Sequence, residues 1–255
     1  MIAERCEVHE EVMKFENTEV WGFNHAMRGM RNPKNSWPMS DSCEVPDAKE
    51  SPCSFFIGPK DMRLAQTLIL SGSEHRKFLR QIFVSVDITA PLYWWKEFDT
   101  YKVGTVANSC STMHKIHSAP ITLDNFETGD LNPELYVDSE FLVPDISEGI
   151  DEATGTTISD VAKTFVSILE SLRQAYLDTK DMRYWKELIR WLPEGWLQKR
   201  TVTMNYENLL GICSKSQRRF HKLTEWSDDF ISWARSLPYA REFIFIDEMT
   251  ERGDI

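Results

Sequence analysis

The clearest periodicity in the chain is that of Val161, Phe165, Ile168, Leu169, Leu172 and Tyr176, which recur at helical spacing among polar residues. Ser159 stands where the N-cap of that helix is expected. A second helix runs from about Met182 to Leu192 and stops before Pro193, whose ring cannot continue it. Upstream, Met62, Leu64, Ala65, Leu68 and Ile69 fit a helix over 61–70 that ends at Ser71-Gly72. From Ile82 to Ile88 apolar and polar positions alternate, the pattern of a half-buried strand. Thr201 to Met204 reads as an extended entry to a helix from Asn205 to about Lys215. Thr224 reads as the cap of a helix carrying Trp226, Phe230, Trp233 and Leu237, closed by Pro238.

Two stretches interrupt this periodicity. Residues 31–60 hold Pro33, Pro38, Pro46, Pro52 and Pro59 and read as an irregular excursion of the kind that covers a site. Residues 124–157, rich in Asp, Glu, Pro and Gly, read as an exposed connection with short helical turns. The expected class is α+β with helix in excess.

Composition narrows the picture. A hydrophobic share of 42% and nine tryptophans exclude a disordered chain, which lacks the apolar area to offset its ordering entropy. Trp94, Trp95, Trp191, Trp226 and Trp233 are expected to be mostly core. At 255 residues one large domain is expected. A net charge of −11 argues against nucleic-acid binding, which needs a basic surface to neutralise phosphates. The first ten residues carry acids where a secretory signal needs an apolar run, and no window approaches the roughly 18 apolar residues of a membrane span. A cytoplasmic protein without membrane contact is expected, with Cys6, Cys43, Cys53, Cys110 and Cys213 as reduced thiols. His114 and His117 can share a helical face but have no third ligand nearby, so no metal site is expected. No Gly-x-Ser-x-Gly elbow and no phosphate-cradling glycine loop occurs, which disfavours serine hydrolase and doubly wound dinucleotide folds.

Candidate chemistry concentrates after an apolar, strand-like run ending at Trp95. Lys102, Asn108, Ser109, Ser111, Thr112, His114 and Lys115 place donors, acceptors and positive charge within fourteen residues of an acidic chain. A small anionic ligand is the first expectation, and a solvated loop is the competing one. Arg218, Arg219 and Lys222 form the strongest basic cluster elsewhere.

Four segments in order resemble the flavin-dependent thymidylate synthase family, whose signature is R-H-R-x-x-S-x-N-E-x-S-x-R-Y. Residues Tyr101 to His114 overlay that signature with Asn108 and Ser111 identical. Lys102 stands for its histidine, Ser109 for its glutamate, and Tyr101, Val103 and Met113 for its three arginines. Glu74-His75-Arg76-Lys77-Phe78 resembles the family's E-H-x-x-F segment. Arg190-Trp191-Leu192-Pro193 resembles the arginine before a Leu-Pro pair. Asn205 and the Arg218, Arg219, His221 group resemble the asparagine opening a helix and the basic residues after it. The likeness spans roughly residues 60–240.

The resemblance implies a central, mainly antiparallel sheet flanked by helices, and a homotetramer with sites between subunits. It implies an enzyme modifying C5 of a dUMP-like nucleotide with FAD and a reduced folate. His75, Lys102, Asn108, Asn205 and His221 would line the flavin. Ser109, Ser111, Arg190 and Arg218 would hold the nucleotide, and Arg218, Arg219 and Ser111 would act in catalysis. The missing arginines imply a pocket reshaped around Tyr101, Val103 and Met113. They leave a second expectation open: a nucleotide-binding or regulatory protein of this fold with another ligand or no flavin.

Overall fold

The computed structural model describes residues 12–45, 54–101, 103–129, 136–137 and 156–255, with the side chains at 136, 137 and 156 outside the description. Strand β1 (Lys14–Trp21) leads to helix α1 (Phe23–Arg31), the short strands β2 (Cys43–Glu44) and β3 (Phe55–Phe56), and α2 (Pro59–Leu70). There follow β4 (Phe83–Pro91), α3 (Leu92–Phe98), β5 (Val106–Ser109), α4 (Thr112–Lys115), and the pair β6 (Tyr136–Val137) and β7 (Thr156–Thr157). Helices α5 (Ile158–Thr179) and α6 (Met182–Arg190) precede β8 (Leu197–Asn205). The chain continues through α7 (Tyr206–Ile212), α8 (Lys215–Phe220), a π-helical turn over Glu225–Phe230, α9 (Ile231–Arg235), α10 (Ala240–Phe243) and α11 (Ile246–Arg252).

The class is α+β: a sheet of order β1-β4-β8-β5, with β1–β4 and β5–β8 antiparallel, flanked by helices. The chain divides into two compact units. The larger comprises Met13–Thr89, Trp94–Ser109 and Lys199–Ile255, and the smaller includes Ala90–Tyr93 and Cys110–Gln198.

In the larger unit the strand alternation sorts the sheet into two faces. Val84, Val86 and Ile88 of β4 and Val202 and Met204 of β8 are buried, while Ser85, Asp87, Thr201 and Thr203 point the other way and hydrogen-bond one another. The core includes Phe23 and Met27 of α1, Ala65 and Ile69 of α2, Tyr206 and Leu209 of α7, and Phe243 of α10. Gly22 turns β1 into α1 with φ +98°, and a Cβ there would collide with the carbonyl oxygen of Gln81. In the smaller unit α5 and α6 pack through Leu169 and Leu188 on Ile116, Ile121 and Phe126. Glu170 ties this unit together by accepting from the Ile121 amide at 2.8 Å and pairing with Arg173, itself buried.

Most sequence expectations for α2, α5, α6 and the 82–88 strand match elements of the fold, with differences that have local causes. Thr157, not Ser159, caps α5, accepting from the Asp160 amide. The strand-like run before Tyr101 is the end of β4 followed by a helix, α3, whose Trp94, Trp95 and Phe98 are buried. The helix expected over 205–215 opens at its Asn205 cap but ends at Ile212, with Cys213 at its C-cap, and a second one starts at Lys215 after Ser214. Thr224 makes no side-chain cap bond, and its helix opens with a π-turn. Trp191 is exposed, whereas Trp94, Trp95, Trp226 and Trp233 are core. The 31–60 excursion contains the β2–β3 pair and two 3-10 turns. Cys43, Cys110 and Cys213 are free thiols, while Cys6 and Cys53 lie outside the described residues. Residues 130–135 and 138–155 lie outside them too, while the rest of 124–157 holds the end of a 3-10 turn at Leu123–Asn125, the buried Phe126 and the β6 and β7 residues.

Candidate functional site

The start of α7 is where the motif-bearing segments of the larger unit meet. Asn205 and Asn208 form a capping box: the Asn208 amide donates to Asn205 Oδ1 at 3.0 Å and the Asn205 amide to Asn208 Oδ1 at 3.1 Å. The free amide of Asn208 then donates to the carbonyl of Val103, fastening the 101–104 loop to the cap. Gly104 makes this approach possible. Its φ is +80°, and a Cβ there would lie 2.9 Å from Asn205 Nδ2 and 3.1 Å from Asn208 Oδ1. From the other direction, Glu207 in the first turn of α7 pairs with Arg76 and Arg80, and the Tyr206 amide donates to the carbonyl of Ile82 at 3.0 Å. The segment carrying His75 is thereby held to the same turn. Arg76 and Arg80 outweigh the burial of Glu207 and hold its carboxyl below the usual range, so the tie is ionised at neutral pH.

Beside this junction Tyr101 turns inward. Its hydroxyl lies 3.4 Å from His221 Nε2, and the His221 ring stacks on Trp226 with centroids 3.9 Å apart. Burial lowers the pKa of His221 against the opposing effect of Glu97, 3.9 Å away, and so keeps the imidazole neutral at pH 7. Burial also raises the Tyr101 phenol, which stays protonated. Val103 by contrast is 89% exposed and Met113 53%, so neither lines an enclosed pocket, contrary to the expected reshaped one. Lys102 lies outside the described residues.

The other candidates divide by what already holds them. Asn108 and Ser109 stand exposed on β5, paired across the sheet with Thr201 and Arg200. Arg218 donates to the carbonyl of Cys213 and pairs with Asp247 at 3.0 Å and Glu248 at 3.2 Å. Arg219 next to it is exposed and makes no ion pair among the described residues. Arg218→Ala is therefore expected to lower stability by about 1–3 kcal/mol, since it removes the donor to the Cys213 carbonyl and the ion pairs to Asp247 and Glu248, although Glu248 keeps Arg235 and Asp247 keeps the Lys215 amide. Arg219→Ala is expected to leave it within about 0.5 kcal/mol. Chemical denaturation of the two variants checks the contrast. In the smaller unit Ser111 caps α4, accepting from the His114 amide at 3.1 Å, and Arg190 pairs with Glu187 at 2.5 Å. His117 packs its ring edge-on against Tyr176.

A pocket of about 960 Å³ lies in the larger unit along the outward face of α2. His75 and Phe78 contribute from one side, and Arg31 and Lys34 from the end of α1. Lys60, Arg63, Leu64 and Leu68 supply the α2 wall. Its frame is a buried ion pair: Asp61, with no exposed surface, accepts from Arg31 at 2.5 Å, Ser40 at 2.5 Å and Ser42 at 2.6 Å. Asp41 accepts from the amides of Lys60 and Asp61, closing the helix end. Of these pocket residues the sequence motifs pointed only to the His75 segment. The available signal for the rest was Lys60 and Arg63 on the polar side of a helix whose other side is apolar.

No protein-family model matches the chain, and no curated protein does. Solved structures do. Flavin-dependent thymidylate synthase ThyX from Helicobacter pylori, complexed with FAD and dUMP, superposes with a TM-score of 0.57 at 16% identity, covering 90% of this chain and 98% of that one. The UMP/dUMP methylase PolB from Streptomyces cacaoi, bound with 5-Br dUMP, gives 0.54 at 13% identity, covering 92% and 94%. At this level of identity the likeness speaks for architecture, over nearly the whole of both chains: the fold is that of the flavin-dependent thymidylate synthases.

Proposed function

We propose that the chain is a divergent enzyme of the flavin-dependent thymidylate synthase type. In this reading it modifies C5 of a dUMP-like deoxynucleotide, with a reduced folate as one-carbon donor and reduced FAD. The observation carrying it is the convergence of the 74–82, 101–104 and 205–208 segments on the first turn of α7, in a chain of this fold. Bound FAD would supply hydride chemistry, and the protein would supply binding and orientation. A wide pocket with an apolar wall and a cationic rim suits a flavin nucleotide, whereas Tyr101 and Val103 offer no guanidinium fork to its phosphates.

His75, Lys102, Asn108, Asn205 and His221 would line the flavin. Ser109, Ser111 and Arg190 would hold the nucleotide. Of the arginine pair, Arg219 is the one assigned to the nucleotide's negative charge, because Arg218 is engaged by Asp247 and Glu248. The working form would be a cytoplasmic homotetramer with sites shared between copies; no described helix is long and apolar enough to cross a membrane. A second reading, a nucleotide-binding or regulatory protein without flavin, is favoured by one observation: Tyr101, at a signature arginine position, is used in packing against His221 and Trp226.

The test is the purified protein with FAD, dUMP and a methylene-carrying folate. Flavin absorbance at about 450 nm that stays with the protein, and a 5-methylated nucleotide by mass spectrometry, are expected. Nucleotide binding without flavin or product would select the second reading. Val103→Arg sharpens the test. With so exposed a side chain the added charge needs no burial, so an unchanged thermal midpoint is expected, and FAD bound about tenfold tighter would bring the flavin phosphates to the 101–104 loop. Unchanged FAD affinity would separate the 101–104 loop from the flavin phosphates.

A further inference from the structure

The protein carries a net charge of −11, yet among the described residues Arg31, Lys34, Lys60, Arg63 and Lys77 line the α2 pocket against the one carboxylate of Glu74, which pairs with Lys77, so its rim is cationic. Lys34, Lys60 and Arg63 make no ion pair among the described residues, although acidic side chains outnumber basic ones by 40 to 29 along the chain. Lys60 and Arg63 are also three residues apart on one helix, a spacing at which like charges repel. A repulsion of that kind is relieved by an anion bound between the two side chains. The pocket does not rely on a helix end, since Asp41 caps α2. Beneath the rim, Leu64, Leu68 and the buried ring of Phe78 present an apolar wall suited to a planar ring.

The 101–104 loop lacks two of the arginines that the resemblance would place there, and Tyr101 is engaged with His221. We infer that the anion-holding task has moved in this chain from the 101–104 loop to the α2 pocket. There Lys34, Lys60 and Arg63 hold the pyrophosphate of an aromatic dinucleotide, with its adenine ring against Leu64, Leu68 and Phe78. The inference rests on the flavin reading above for the identity of the ligand as FAD, and on the pocket alone for the pyrophosphate.

The experiment compares the parent with Lys60→Ala, Arg63→Ala and the double variant, and uses Lys14→Ala, which does not line the pocket, as a control for net charge. FAD, FMN, riboflavin, ADP and inorganic pyrophosphate are titrated by calorimetry, with thermal midpoints alongside. The expected result is FAD and ADP binding weakened about tenfold by each single variant, with riboflavin, midpoints and the control unaffected. FMN weakened as strongly as FAD would overturn the pyrophosphate assignment, because FMN has a single phosphate. FAD bound by the variants with parental affinity would overturn the inference while leaving the flavin reading intact. ADP and pyrophosphate bound through these residues, with no flavin affinity, would uphold the pocket and remove the flavin reading. A parent protein that binds none of the five would overturn both.

Discussion

Asp61→Asn is expected to destabilise the protein by about 3–5 kcal/mol, because it leaves the guanidinium of Arg31 buried without its counter-charge. Both partners are shielded from solvent, with side-chain exposures of 4% and 0%. Burial alone would raise the pKa of Asp61. The hydroxyls of Ser40 and Ser42, together with the hydrogen bond and charge of Arg31, outweigh it and hold the carboxyl below its usual range. The sign of the pH dependence follows. A carboxyl with a lower pKa in the folded than in the unfolded chain contributes stability that is complete above the ordinary carboxylate value. That contribution is lost as pH falls through the folded one. Urea unfolding at neutral and acid pH should therefore show a lower midpoint for the variant and a flatter acid limb than the parent. Since the same carboxylate ties Ser40 and Ser42 to α2 and positions Arg31 at the pocket, ligand affinity should fall with stability. A neutral-pH midpoint equal to the parent's would show that the ion pair does not hold the frame.

That ion pair also shows where sequence reading ends. Arg31 and Asp61 sit on either side of the proline-rich stretch, and nothing in composition or spacing couples them across it. Helices α2, α5 and α6 and the core of β4 were legible because one face of each is buried, which imposes a period of 3.6 or 2 on the sequence. Strand β1 left no such trace: along Lys14–Trp21 every residue is exposed or half-exposed. Helix α1 did carry a helical pattern, Phe23, Ala26, Met27 and Met30, which the expectations for the chain did not include. Segment order made the fold recognisable even where the signature is altered. The cationic pocket was not legible, since Lys34, Lys60 and His75 come from separate elements that only the tertiary structure brings together. The state of Arg218 was hidden for the same reason: its partners Asp247 and Glu248 lie about thirty residues further on.

Trp226→Ala is expected to cost about 3–5 kcal/mol and to disturb the junction at the 101–104 loop as well as the core. Trp226 is 2% exposed and touches four rings: His221 at 3.9 Å, Trp94 and Phe230 at 5.5 Å, and Tyr101 at 5.8 Å between centroids. Its indole nitrogen is buried without a hydrogen-bond partner among the described residues, so the loss is one of packing and not of a polar contact. Removing the indole opens His221 to water. Burial is the main cause of that residue's lowered pKa, so its titration should move back up towards the ordinary histidine range. Tyr101 loses its ring neighbour in the same step, and the loop that follows it, fastened through Val103 to Asn208, loses one of its two anchors. Trp226→Phe separates packing from position. It should recover much of the stability, because an aromatic ring still fills most of the space, and His221 should titrate close to its parental value. Thermal unfolding combined with NMR titration of the histidines measures both effects. If Trp226→Ala kept the parental midpoint and left His221 unmoved, the aromatic cluster would not be what holds Tyr101 inward, and the 101–104 loop would owe its conformation to the α7 cap alone.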